Sequence, residues 1–179
     1  MRYLENFLSA AEAGQLHAWL VNDSAVNWDQ EQFQIFGKQV LAPRQLAWFG
    51  NAGVNYRYTG IDHVATGWPA QMIALRERVC AQAEQSFNFV LVNRYRHGGD
   101  YMGWHRDDER TAAPIIASLS LGARRRFRMR SGPGAKSCAL DLTSGSLLLL
   151  DGRQQHMLAK SKREVGERIN LTFRCIHED

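Results

Sequence analysis

The feature that most constrains the fold is a series of short strand-like segments after about residue 86, separated by turns. The segments span residues 87–95, 114–121, 124–130, 137–142, 146–151 and 168–176. Gly122, the SGPG stretch at 131–134 and Ser144-Gly145 interrupt them, and glycine and proline are the strongest local markers of turns. Many short strands joined by tight turns are typical of a sandwich, a barrel or a jelly roll. We therefore predict a mainly β chain of α+β class.

Two helices are predicted in front of these strands. Ser9 and Glu12 have the spacing of a capping box, and apolar residues follow at helical spacing. A second helix is predicted to begin at Pro69, because proline suits a first helical position. Its apolar face would carry Met72, Leu75, Val79 and Ala83. Residues 24–66 lie between the helices and are expected to form short strands and loops.

Length and composition indicate one globular, intracellular domain. The chain has 179 residues, of which 45% are hydrophobic and 22% charged, an ordinary globular balance. No apolar run approaches the roughly 20 residues of a membrane span, and the start, MRYLENFLSA, lacks a signal-peptide pattern. The three cysteines have no Cys-x-x-Cys spacing, which favours reduced thiols. We expect a monomer that does not associate with membranes.

Basic residues are clustered rather than spread evenly. The net charge is only +4, but five arginines fall within residues 124–130, and Lys160-Ser161-Lys162-Arg163 forms a second cluster. Such clusters suggest a polyanionic partner, with nucleic acid the first candidate. Charge alone leaves open the alternative that both clusters are solvated faces.

Two of the predicted strands have informative faces. Since side chains alternate along a strand, one side of the first strand carries Phe87, Phe89, Leu91, Asn93 and Tyr95. One side of the last strand carries Arg168, Asn170, Thr172 and Arg174. A polar side can simply meet water. The alternative is a cationic wall inside a barrel, where two arginines grip an anion by paired hydrogen bonds.

The segment WHRDDER at 104–110 contains a possible pair of metal ligands. If it is extended, His105 and Asp107 project to the same side. His156 follows the buried-strand pattern SLLLLDG, so the chain offers two imidazoles and one carboxylate. That set, with open coordination positions, is the facial arrangement typical of non-haem Fe(II) oxygenases.

These residues together resemble the AlkB-type Fe(II)- and 2-oxoglutarate-dependent dioxygenases, above all their DNA-repair branch. The resemblance covers nearly the whole chain. It rests on NFVLVNRY (88–95), HRDDER (105–110), GSLLLLDG (145–152) and RINLTFR (168–174), and upstream on IFGK (35–38), PR (43–44) and GNAGVNYRYTG (50–60).

The resemblance implies a fold, a metal site and a co-substrate site. The fold would be a double-stranded β-helix, or jelly roll, at about 87–179, preceded by helices and a nucleotide-recognition lid at about 1–86, all in one domain. Fe(II) would be held by His105, Asp107 and His156, and O₂ would be the oxidant. Arg174 would pair with the distal carboxylate of 2-oxoglutarate, and the pocket would be completed by Asn93, Tyr95, Arg168, Asn170 and Thr172.

The resemblance also implies an activity. The enzyme would oxidatively demethylate 1-methyladenine and 3-methylcytosine in DNA, releasing formaldehyde, succinate and CO₂, in the cytoplasm or, in a eukaryote, the nucleus. The damaged base must be flipped out of a duplex. Tyr56 and Tyr58 would stack on it, Phe36 would fill the gap, and Asp108 or Glu109 would favour its positive charge. Phosphates or the opposite strand would meet Arg44, Lys160, Lys162 and Arg163.

Alternatives remain at this stage. The substrate could be duplex or single-stranded DNA, RNA or a protein, and a non-catalytic binder of damaged nucleic acid would keep the same fold. The intact ligand set and both arginines argue against a non-catalytic role. Residues 153–155, Arg-Gln-Gln, and Trp104 before the first ligand depart from the family pattern, which bears on substrate preference.

Overall fold

The computed structural model describes residues 1–35, 37–58, 60–107 and 112–177, with the backbone alone for Phe33 and Ile35. Two helices occur in this part of the chain, α1 (Ala10–Asn22) and α2 (Ala70–Ala83). The strands in chain order are β1 (Arg2–Leu4), β2 (Gln32–Ile35), β3 (Lys38–Leu41), β4 (Gln45–Gly50), β5 (Asn55–Tyr58), β6 (Ile61–Val64), β7 (Phe89–Tyr95), β8 (Met102–His105), β9 (Ile115–Gly122), β10 (Arg125–Arg130), β11 (Cys138–Leu142), β12 (Leu147–Asp151), β13 (Gln155–Leu158) and β14 (Arg168–Arg174).

Most of the strands belong to two antiparallel sheets. The six-stranded sheet has the order β1-β12-β9-β14-β7-β4, and the four-stranded sheet has the order β11-β10-β13-β8. A shared core joins them, in which Ile116, Leu148 and Leu150 of the larger sheet meet Phe127, Met129 and Leu142 of the smaller one. Two sheets packed over one core give the predicted jelly roll. The remaining strands form the hairpins β2–β3 and β5–β6.

The helices cover the other face of the six-stranded sheet. The predicted capping box begins α1: Ser9 Oγ accepts from the Glu12 backbone N–H at 3.3 Å, and Glu12 Oε2 accepts from the Ser9 N–H at 2.8 Å. α2 begins at Ala70, with Pro69 as its cap, one residue later than predicted. Buried residues of both helices share a core with Val90, Val92, Ile169, Leu171 and Phe173 of the sheet. Strands β7 and β14 are therefore covered on both faces.

The sequence predicted six strands that the structure contains, but it missed three others. β1, β8 and β13 have only three or four residues each, and so short a segment has little detectable alternation. The first 86 residues contribute more than helices and a lid, because β1 pairs with β12 and β4 pairs with β7. The catalytic core is thus not confined to 87–179, and the single domain remains a prediction. Neither helix of the described chain is long and apolar enough to span a membrane.

Candidate metal and co-substrate site

Three possible metal ligands meet at one end of the four-stranded sheet. His105 ends β8 and lies opposite His156 of the neighbouring strand β13. Asp107 follows two residues after β8, where its backbone N–H donates to the Gly152 carbonyl at 2.8 Å. One ligand atom from each of these side chains lies within 4.8 Å of the others. The structure therefore brings together three groups that are far apart in the sequence.

Hydrogen bonds to the backbone fix how the two imidazoles face this spot. His105 Nδ1 lies 2.8 Å from the Gly103 carbonyl oxygen, and His156 Nδ1 lies 2.8 Å from that of Gln154. Because a carbonyl can only accept, each Nδ1 carries the proton and each Nε2 presents a lone pair. The Nε2 atoms lie 3.7 Å and 3.3 Å from the Asp107 carboxylate. Facing acceptors of this kind fit a cation held between them.

The electrostatic environment favours the protonation states that bind a metal, which are a neutral imidazole and an ionised carboxylate. Burial lowers the pKa of His105, which favours the neutral imidazole. Burial acts to raise the pKa of Asp107, but the Arg174 guanidinium, 2.9 Å from Asp107 Oδ2, holds that pKa well below its usual range. The carboxylate is therefore ionised, and neutral imidazoles with a carboxylate are what Fe(II) binds in such sites.

A cavity opens beside the metal group, and its polar wall comes from strands β7 and β14. The wall consists of Asn93, Tyr95, Arg168, Asn170, Thr172 and Arg174. Their shared side is buried, so the sequence-based alternative that the polar face of 168–174 meets water is wrong. The reason is the sheet order, in which β14 lies between β9 and β7 and faces the smaller sheet.

Arg168 is the most deeply buried charged group of this wall. Only 2% of the residue is exposed, and burial lowers its pKa to about 10, which leaves it cationic at neutral pH. Its Nη2 donates to Ser120 Oγ at 3.0 Å, while its Nε has no hydrogen-bond partner among the described residues. A buried guanidinium without a carboxylate beside it is costly unless an anion binds, and a 2-oxo dicarboxylate supplies one.

Two serines of β9 accept hydrogen bonds from residues of the wall, and sequence reasoning missed them. Ser120 accepts from Arg168, and Ser118 Oγ accepts from Asn170 Nδ2 at 2.8 Å. A signal was available, since the serines in IIASLSLG at 115–122 stand two residues apart in an otherwise apolar strand. Side chains two apart share a face, so the polar pair indicated a hydrophilic interior.

The structure corrects two of the predicted DNA contacts. Arg44 is 3% exposed, and its Nη2 donates to Glu31 Oε2 at 3.2 Å, so it does not reach a phosphate. Tyr56 is fully buried between the Tyr58 ring, stacked at 5.8 Å, and Phe89 at 5.4 Å. It therefore cannot stack on a base in this structure. Tyr58 lines the cavity, and its stacking on a flipped base stays a prediction.

The basic loop at 160–163 is exposed, as its predicted role requires. Lys160, Lys162 and Arg163 all face outward, and Lys160 Nζ lies 4.4 Å from the Tyr101 ring centre. The loop is anchored by Arg125, which is buried and donates to the carbonyls of Asp100, His97 and Ala159 at 2.8, 3.2 and 2.8 Å. Phe36, Asp108 and Glu109 lie outside the described residues.

The jelly roll has one cavity that holds both a His-Asp-His group and a buried arginine able to bind a carboxylate. This combination defines the class of Fe(II)- and 2-oxo-acid-dependent oxygenases. The family profile described as the 2OG-Fe(II) oxygenase superfamily matches residues 1–174. The chain belongs to that superfamily. Membership implies Fe(II), 2-oxoglutarate and O₂ as cofactor and co-substrates, and His105, Asp107 and His156 could hold the metal.

Several curated relatives are AlkB homologues. The chain is 41% identical over 157 residues to the mouse DNA oxidative demethylase ALKBH2, covering 80% of this chain and 66% of the relative. It is 39% identical over 157 residues to the human protein of that name, covering 80% and 60%. It is 32% identical over 189 residues to bovine alpha-ketoglutarate-dependent dioxygenase alkB homolog 3, covering 97% and 65%. These similarities confirm the AlkB-type resemblance, and the chain spans less than two thirds of each relative.

Solved structures confirm the fold. The structure of OsALKBH1 matches with a TM-score of 0.70 at 16% identity, covering 97% of this chain and 96% of that one. An oxidoreductase of the 2OG-Fe(II) oxygenase family from Burkholderia pseudomallei matches with a TM-score of 0.65 at 13% identity, covering 96% and 82%. At such identities the likeness concerns the jelly-roll fold alone.

Proposed function

We propose that this protein oxidatively demethylates N-alkylated bases in DNA, with 1-methyladenine and 3-methylcytosine as substrates and formaldehyde, succinate and CO₂ as products. One observation carries the proposal: the His105, Asp107 and His156 group opens on the same cavity as Arg168. The names of the mouse and human relatives, DNA oxidative demethylase ALKBH2, support DNA as the substrate.

The two arginines of β14 would divide the work of holding 2-oxoglutarate, but not as the sequence suggested. Arg174 is already 2.9 Å from Asp107 and so belongs to the metal end of the cavity. Arg168 lies at the other end of the strand, with Tyr95 and Ser120 around it. We therefore assign the distal carboxylate to Arg168. Asn93, Tyr95, Asn170 and Thr172 would line the space between the two ends.

The residues of the site have distinct tasks in this reaction. Fe(II) with 2-oxoglutarate and O₂ supplies the oxidising power that hydroxylates the N-methyl group, after which formaldehyde leaves the base. His105 and His156 would hold the metal through Nε2, because their Nδ1 N–H groups donate to backbone carbonyls. Asp107 stays ionised beside Arg174, and Tyr58 forms part of the wall that the flipped base would meet.

Binding of DNA would involve residues around the mouth of the cavity. We assign phosphate contacts to Lys160, Lys162 and Arg163, because this loop is exposed and anchored. Phe36 remains our candidate for the finger that fills a duplex after base flipping, and Asp108 or Glu109 for recognition of a cationic base. A monomer acting in the cytoplasm, or in a eukaryotic nucleus, agrees with these assignments.

The test is turnover on defined oligonucleotides. Purified protein with Fe(II), 2-oxoglutarate and O₂ is given single- or double-stranded DNA containing 1-methyladenine or 3-methylcytosine, and matched RNA. Formaldehyde and succinate should appear in equal amounts with DNA. A His105→Ala variant should lose turnover while its affinity for DNA is largely unchanged, because phosphate contacts dominate that affinity.

Other outcomes would redirect or remove the proposal. Release with RNA but not DNA would move the substrate to RNA, and release with no nucleic acid would remove the demethylase function. A Phe36→Ala variant should lose more activity on duplex than on single strands. Equal losses on both would remove the finger role.

A further inference from the structure

A group of buried polar side chains lies beside the metal and co-substrate site and shares Tyr58 with its cavity. Glu31 and Arg44 form an ion pair of 3.2 Å whose side chains are 0% and 4% exposed. His63 Nε2 lies 3.8 Å from Glu31 Oε1, and Arg44 Nη2 lies 3.4 Å from the Tyr58 hydroxyl. We call Glu31, Arg44, Tyr58 and His63 the lid cluster.

The lid cluster joins parts of the chain that pair with different neighbours. Glu31 stands directly before β2, Arg44 directly before β4, and Tyr58 and His63 lie in the β5–β6 hairpin. His63 Nδ1 is 3.2 Å from the Tyr56 carbonyl oxygen, which ties it to the opposite strand of that hairpin. Hairpin and large sheet are thus connected through buried side chains.

The cluster reaches the metal end of the cavity through two stacked rings. Tyr58 lines the cavity, and its ring stacks on that of Tyr56 with an interplanar angle of 20°. The Arg174 guanidinium lies 5.0 Å from the Tyr56 ring centre and 2.9 Å from Asp107. An arginine on each side therefore fixes the tyrosine pair, with Arg44 at one end and Arg174 at the other.

A buried ion pair is a poor means of stabilising a fold. Desolvation offsets most of the attraction, and apolar residues of similar size would serve stability as well or better. What such a pair does supply is a defined geometry, because removing either partner leaves a buried charge uncompensated. The geometry defined here is the position of Tyr58 against the cavity.

We propose that Glu31 and Arg44 are positioning residues that hold Tyr58 in place as the wall for the substrate base. The proposal rests on the proposed function for the identity of the substrate. It assigns to Arg44 an internal task instead of a contact with DNA phosphate. His63 supports the same task by bracing the Glu31 carboxylate from the β6 strand.

The first experiment does not need turnover. Amide hydrogen exchange of residues 55–64 is measured in the wild type and in Arg44→Gln, with Arg57→Gln as the matched control. Arg57 pairs with Asp62 on the same hairpin at 3.2 Å, but both side chains are about half exposed or more. Arg44→Gln should speed exchange in the hairpin about tenfold and Arg57→Gln less than about twofold, since local opening follows lost buried contacts.

The second experiment separates positioning from binding. On a methylated oligonucleotide, Arg44→Gln should lower kcat about tenfold, since misplacing a contact reduces the rate. The KM values should change less than about twofold. Tyr58→Phe should lower kcat in the same direction, and the double variant should lose no more than Arg44→Gln alone, because residues acting through one contact are non-additive.

Several results would overturn the proposal. Unchanged hairpin exchange in Arg44→Gln would do so, and so would additive losses in the double variant. Weaker binding of undamaged DNA with a smaller salt dependence would make Arg44 a phosphate contact instead. If Arg44→Gln does not fold, unchanged exchange and kcat in Tyr58→Phe would count against the proposal. If the wild type demethylates no oligonucleotide, the proposed function fails, while hydrogen exchange still decides the positioning role.

Discussion

Two buried arginines, one in the cavity wall and one in the lid cluster, differ in their partners. In the cavity wall, Arg168 is 2% exposed, and among the described residues its side chain donates to the neutral hydroxyl of Ser120. In the lid cluster, Arg44 is 3% exposed and is paired with the carboxylate of Glu31. The two arginines are about equally buried. The charge of Arg44 is neutralised by a carboxylate, whereas Arg168 donates to a neutral hydroxyl.

This difference distinguishes a ligand-binding site from a structural ion pair. A buried cation that the protein itself neutralises has its anion already, so its neighbourhood is complete. A buried cation that meets only neutral groups has unused attraction for an anion. By this criterion the surroundings of Arg168 form a binding site, whereas the pair of Arg44 and Glu31 is a structural contact.

The largest expected effect concerns the metal site. His156→Ala removes one of three ligands, and we expect turnover to fall by more than about a hundredfold, since even residues behind metal ligands contribute 10–100-fold. Binding of Co(II) as a spectroscopic substitute should weaken in parallel. His177→Ala, at an exposed histidine, is the control. Full metal binding by His156→Ala would contradict the assigned site.

Exchanging each arginine for lysine tests the comparison directly. Arg168→Lys should raise the KM for 2-oxoglutarate by about 10–100-fold, because lysine loses the paired, planar contact with a carboxylate. Arg44→Lys keeps the charge next to Glu31 and should leave that KM nearly unchanged. Steady-state kinetics with varied 2-oxoglutarate measures both. Equal effects would remove the distinction between the two arginines.

A glycine next to the metal ligands provides a packing test. A Cβ at Gly152 would lie 2.6 Å from both the Asp107 carbonyl oxygen and Ile116 Cδ1. Gly152→Ala should therefore destabilise the fold by about 1–3 kcal/mol, as overpacking usually does, and also weaken metal binding. Gly132, where a Cβ meets nothing within 4 Å, is the control. Urea unfolding of both variants gives the comparison, and equal stability would contradict it.

A smaller effect is expected from the hydroxyl that orients Arg168. Ser120→Ala removes the acceptor at 3.0 Å and should raise the KM for 2-oxoglutarate by about fivefold, equivalent to about 1 kcal/mol for one hydrogen bond. The kcat should not change. Ser137→Ala, which removes a partner of the exposed Arg128, should leave the KM as it is. A larger change in kcat than in KM would contradict an orienting role.

The smallest effect is a pH dependence of stability at Asp100. Burial acts to raise its pKa, but hydrogen bonds from Arg96 outweigh burial and lower it. A lowered pKa in the folded state means that Asp100 stabilises the fold above its ordinary pKa and that this contribution disappears as pH falls through the folded value. Asp100→Asn should therefore reduce stability at pH 7 more than at pH 3. Thermal unfolding at both pH values measures this, and a loss that does not depend on pH would contradict it.

Sequence reasoning succeeded where a pattern is local. The alternation in RINLTFR predicted that four polar side chains of β14 share one side, and the spacing of His105 and Asp107 predicted neighbouring ligands. Both follow from the two-residue period of a strand. The short strands and turns predicted a sandwich, a barrel or a jelly roll, and the family resemblance selected the jelly roll.

It failed where the answer depends on partners distant in sequence. Nothing near Arg44 shows that Glu31, thirteen residues earlier, will neutralise it inside the fold. Tyr56 and Tyr58 alternate with exposed residues of β5, so the pattern could not show that only Tyr58 lines the cavity. Arg168 and Arg174 share a face, and their order relative to the metal depends on how the Asp107 segment packs.

The anchoring of the basic loop by Arg125 has a consequence for altering substrate choice. Arg125 donates hydrogen bonds to the backbone carbonyls of Ala159, Asp100 and His97. Every amino acid has a backbone carbonyl, so these bonds do not depend on side-chain identity. Side chains at positions 160, 162 and 163 can therefore be exchanged without breaking the hydrogen bond between Arg125 and the Ala159 carbonyl that anchors the loop. Under the proposed function, we expect a library restricted to those positions to vary nucleic-acid preference without altering the metal and co-substrate site.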